Sequence, residues 1–99
     1  MDDVGSNELR ASVQNQHGGT ATLREVVAVQ ERQGDNIVWA GTVHVFDLTN
    51  HPNTTRVYAW SSPIEGSSKR RFYAVLHLGG IRSTQDAVRA SIVAEHRKK

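Results

Sequence analysis

Residues 22–32, Thr22-Leu23-Arg24-Glu25-Val26-Val27-Ala28-Val29-Gln30-Glu31-Arg32, decide the fold. As a helix, the stretch opens with the capping-box pattern Thr22-Leu23-Arg24-Glu25 and ends with Gly34 available for the position after the last turn. As a strand, it is dense in β-branched residues at Val26, Val27 and Val29. Gln33-Gly34-Asp35-Asn36 then supplies a hairpin loop. We adopt the strand reading. Pairing residue 29 with residue 39 sets Val29 beside Trp39 and Leu23 beside Val45 on one apolar face.

Downstream, Ile37–Leu48 alternates over its whole length. Val38, Ala40, Thr42, His44, Phe46 and Leu48 share one face, and Ile37, Trp39, Gly41, Val43 and Val45 share the other. Apolar residues on both faces make this a central strand. Gly41 in its middle points to a bulge or to a large neighbour packed close. Thr49-Asn50-His51-Pro52-Asn53 is a turn, closed by Pro52. Arg56–Ser61 and Arg70–Leu78 are the next two strands, joined by the polar loop Ser62–Ser68. Gly79-Gly80 ends the last strand. Ser83-Thr84-Gln85-Asp86 then starts an amphipathic helix over 87–97, with Ala87, Val88, Ala90, Ile92 and Ala94 on its apolar face and Arg89 and Glu95 toward water. Arg97, Lys98 and Lys99 suit the negative end of its dipole.

Upstream, residues 1–20 are rich in Asp, Asn, Ser, Gln and Gly. They predict a flexible N-terminal arm, with a short fraying helix over 7–14 in which Leu9 and Val13 stand four apart. Gly18-Gly19 ends that helix. The expected fold is therefore α+β: an antiparallel meander of three or four strands packed on one C-terminal helix, forming a single domain over 21–99 behind the arm. One helix covers part of one sheet face, so the other face is expected to be open and available for self-association.

Composition narrows the function classes. The 99 residues are 37% hydrophobic and 22% charged, which fits one small globular domain and excludes collagen-like, coiled-coil and wholly disordered chains. Without cysteine, neither disulfides nor thiolate metal sites support the core. This favours a reducing, cytoplasmic setting. No uninterrupted apolar run exceeds five residues, and the run Val26–Val29 has four, far short of a membrane span. The start, MDDVGSNELRAS, lacks the charge and apolar core of a signal peptide. Arginine outnumbers lysine nine to three, a bias that a GC-rich bacterial genome produces without any functional cause.

Charge is uneven. Asp2, Asp3 and Glu8 against Arg10 make residues 1–20 acidic, whereas the remainder carries 11 basic and 7 acidic side chains. Lys69-Arg70-Arg71 ends a loop and Arg56 opens a neighbouring strand. Tyr58, Trp60, Phe72 and Tyr73 lie on the adjacent strands. Single-strand nucleic-acid binders combine such cations with exposed aromatics, so Arg56, Tyr58, Trp60, Lys69, Arg70 and Arg71 form a candidate nucleic-acid surface. The competing reading puts the aromatics in the core and the cations at a solvated edge. In double-stranded RNA-binding domains a lysine cluster starts the second helix. Ala87, Ala90 and Ala94 imitate the alanine run of that helix, but Gln85-Asp86 replaces the lysines.

Catalytic and metal signatures are sparse. There is no G-x-S-x-G elbow, no HExxH and no thiol. His44, Asp47 and His51 have ligand-like spacing, but residues 44 and 47 of one strand point to opposite faces. Asp47 with His44 or His77 is the one carboxylate–imidazole pairing to consider. Gly66-Ser67-Ser68-Lys69 lacks the first glycine and the following helix of a phosphate loop. We therefore expect no cofactor, no bound metal, no small-molecule substrate and no enzymatic activity. The expected role is an intracellular interaction module, a homodimer or a partner of another protein, associating through an open sheet face or an edge strand. Nucleic-acid binding is the alternative and a small enzyme comes third.

Overall fold

The computed structural model describes residues 5–52, 54–64 and 66–97. Helix α1 (Ser6–His17) leads into strands β1 (Thr20–Gln33), β2 (Asn36–Thr49), β3 (Arg56–Pro63) and β4 (Arg70–Leu76), followed by helix α2 (Thr84–Arg97). The strands form one antiparallel sheet in the order β1-β2-β3-β4. This is the expected α+β meander. Residues 22–32 are strand throughout. The hairpin turns at Gly34-Asp35, where Gly34 has φ +64°, a left-handed conformation suited to glycine.

Alternation along the strands sorts the core into two layers. Ala21, Phe46, Leu48, Val57 and Ala59 pack with Leu9 and Val13 of α1, with Phe72, Ala74 and Leu76 against them. Val29, Val43, Val45, Tyr58 and Trp60 pack on the other face with Ala87 and Val88 of α2. Each face of the sheet thus has its own helix. Two expectations change accordingly. The short helix expected over 7–14 is present as α1, but it is longer and docked rather than fraying, since Leu9 is 2% exposed and Val13 0%, and Thr20 already belongs to β1. Residues 1–4 lie outside the described residues. The sheet face opposite α2 is likewise not open at its base, because α1 covers it.

Specific contacts fix α1. Gly18 N–H donates to Gln14 O at its end, and Gln14 Oε1 accepts from Ala21 N–H at 3.0 Å. His17 Nε2 lies 2.8 Å from Ala74 O; a carbonyl only accepts, so the ring nitrogen donates. Gly19, with φ +78°, passes so close to β2 that a Cβ there would stand 2.6 Å from Thr49 O. At α2, Ser83 Oγ accepts from Asp86 N–H at 3.1 Å while the Asp86 carboxylate accepts from Arg82 N–H, so both satisfy donors at the helix start. Of the apolar face expected for α2, Ala87 and Val88 are buried and Ile92 is half-buried, but Ala94 is exposed. The side chains of Glu95 and Arg97, and all of Lys98 and Lys99, fall outside the described residues.

Register differs from the expectation. Val29 faces Gly41, Glu31 faces Trp39, and Leu23 faces Phe46. Irregularities at Arg24 and at Val38 account for this. Val29 and Trp39 still share the α2 face, but the bulge at Arg24 sends Leu23 to the α1 face, away from Val45. Gly41 meets the close packing expected of it: the Trp39 ring lies over it, Cη2 being 2.9 Å from where a Cβ would stand.

Candidate interaction fork

The site arises where the sheet divides. β2 and β3 pair only from Asp47↔Arg56 to His44↔Ala59. β2 nevertheless extends to Asn36, still paired with β1, and β3 extends to Pro63, still paired with β4. Beyond His44 the sheet is a fork between two hairpins. Leu48 N–H donates to Thr55 O across the β2–β3 seam. By two-residue alternation, the backbone groups of Thr42 and Ala40 therefore point into the fork, where no strand lies beside them.

A cavity sits on each face of this gap. On the α2 face, one of about 320 Å³ is lined by Trp39, Trp60, Tyr73, Val88 and Ile92, with Arg71, Ser62 and Ser91 at its rim. Trp60 stacks on Tyr73 with centroids 5.1 Å apart and meets Trp39 edge-on at 6.0 Å. On the α1 face, one of about 560 Å³ is lined by Val26, Ala40, Thr42, His44, Ser61 and Arg70 beside the start of α1. Arg70 bridges the fork's β3 side, its Nε donating to Ser61 Oγ at 2.9 Å and its Nη2 to Ser61 O at 3.3 Å. Among the described residues no acidic side chain lines either cavity. The hairpin beyond the fork exposes Val26, Ile37 and Val38, at 52%, 49% and 45%.

The residues proposed from sequence as a nucleic-acid surface do not converge. Tyr58 and Trp60 are core, at 2% and 1% exposed, and offer no ring face for stacking. Arg56 begins β3 while Arg70 pairs with its end at Pro63, roughly 20 Å away along the strand. Lys69 and Arg71 are exposed beside Arg70. Among the half-buried aromatics, Trp39 and Tyr73 line one cavity with Arg71. Trp39 was not picked out as a site residue, and the signal that would have flagged it is the adjacent pair Trp39 and Gly41 on one face.

His77 and His44 also make contacts within the fold. Tyr58 Oη and His77 Nδ1 are hydrogen-bonded at 2.6 Å, and His44 stacks on Phe46 with centroids 6.4 Å apart. Asp47 faces Arg24 at 3.4 Å on the surface. Among the described residues no three His, Cys, Asp or Glu side chains group as metal ligands, and no helix is long and apolar enough to cross a membrane. At the far side of the hairpin, Glu31 ties β1 to α2. Its carboxylate accepts from Gln85 Nε2 at 2.5 Å and from Arg89 Nε at 3.2 Å. The Gln85 hydrogen bond, supported by Arg89, outweighs desolvation and holds Glu31 below its ordinary pKa.

No family model matches the chain, and no curated protein or solved structure matches it significantly.

Proposed function

We propose that this protein is a non-enzymatic interaction module that captures an extended segment of another chain by strand addition to β2 in the fork. One observation carries the reading: the β2–β3 ladder stops at His44↔Ala59 although both strands continue. An unpaired strand edge is a template for main-chain hydrogen bonding, and side chains of an added strand alternate between faces. Here each face of the gap has a cavity to receive them. An open sheet face and an edge are the two association routes the sequence offers, and the early end of the β2–β3 ladder supports the edge.

The test uses three blocked peptides in which phenylalanine alternates with glutamate, serine or lysine. Each is added to labelled full-length protein while amide hydrogen exchange is followed. Slowed exchange at Ala40 and Thr42 with at least one peptide supports strand addition. Unchanged exchange with all three overturns it. If oligothymidylate shifts Trp39 and Arg71 while no peptide acts, the role passes to nucleic-acid binding. Light scattering shows whether the natural occupant is a second copy: a dimer whose Ala40 and Thr42 amides are already protected supports strand addition between copies.

A further inference from the structure

Building on the strand-addition reading, we infer that the fork selects an extended segment in which aromatic and acidic residues alternate. The two cavities differ in kind. The α2-face cavity is walled by the half-buried Trp39, Tyr73 and Ile92 and suits a flat apolar ring, which gains offset-stacked or edge-on contacts there. The α1-face cavity is walled by Thr42, Ser61 and Arg70 and is polar and cationic. Period-two alternation delivers every second side chain of an added strand to each cavity. A segment with rings on one side and carboxylates on the other therefore matches both at once.

Arg70 is the selecting residue. Ser61 takes two of the five N–H donors of its guanidinium, leaving others to meet a carboxylate. The Ser61 contacts hold the fork-side position of the guanidinium before any partner arrives, so little side-chain freedom is lost on binding. Among the described residues no acidic side chain lines either cavity to compete for the cation. A basic segment meets like charge on entering and is rejected.

Affinities of the three alternating peptides for the full chain, read by tryptophan fluorescence, test the selection. The glutamate peptide binds about tenfold or more tightly than the serine peptide, and the lysine peptide is weakest. Arg70→Gln removes the glutamate preference, and because the serine peptide binds that variant as before, a folding defect is told apart from lost selection. Rising salt narrows the glutamate advantage. If all three bind equally, or Arg70→Gln leaves the ranking intact, the acidic preference is overturned while strand addition stands. If none slows exchange at Ala40 and Thr42, strand addition itself falls.

Discussion

Gly41 and Glu31 show how single positions set the geometry of the long hairpin. Trp39 reaches across Gly41 because that position has no Cβ. Gly41→Val pushes the indole off the strand and out of the cavity wall. The displaced atoms are the far end of a side chain, so the cost stays near the low end of overpacking, about 1–2 kcal/mol. Urea denaturation measures the loss, and a red-shifted tryptophan emission reports the movement. An unshifted spectrum at full stability refutes the packing role. Glu31 acts through charge. Its pKa is lowered in the folded state, so its stabilisation is fully present above the ordinary carboxylate value of about 4.3 and is lost as pH falls through the lowered value. The Tm gap between the wild type and Glu31→Gln is therefore constant near neutrality and shrinks in acid. A gap independent of pH shows that the carboxylate's charge contributes nothing to holding α2.

At the scale of elements, α1 separates what local sequence specifies from what the assembled sheet specifies. A flexible arm tolerates Leu9→Ala at no cost, whereas the docked helix loses about 2–5 kcal/mol, because Leu9 sits 2% exposed among Phe46, Leu48 and Val57. Thermal or urea unfolding of that variant distinguishes the two. The strands were legible from sequence because alternation is a local property: Phe46, Leu48 and Val57 appear on one side and Val43, Val45 and Tyr58 on the other, whatever covers them. The docking of α1 was not, because two apolar residues four apart mark a stripe without naming the surface it meets. The bulges at Arg24 and Val38 were hidden for a related reason: they are set by pairing between residues distant in sequence, not by a local pattern. The site was half legible. Lys69-Arg70-Arg71 stood out as a cluster, but the fork beside it depends on where β2 and β3 part, which is set by pairing across distant residues.

For the whole molecule, protection should follow the sheet's division. Backbone groups of Gly41 and Val43 point to β1 and those of Ala40 and Thr42 into the fork, so in the unliganded protein the even positions exchange quickly and their odd neighbours slowly. Phe46 and Val57, paired at the seam and under α1, exchange slowest of all. In the monomeric protein, uniform protection along 40–43 by native-state exchange contradicts a fork open along β2. Finally, the helices covering the two faces come from opposite ends of the chain. During synthesis α1 and the hairpins emerge first, while Val43, Val45, Tyr58 and Trp60 wait for residues 84–97 before their face is closed. The nascent chain therefore carries a naked apolar surface until residues 84–97 leave the ribosome, which makes a product terminated before them a natural client for chaperones and proteases.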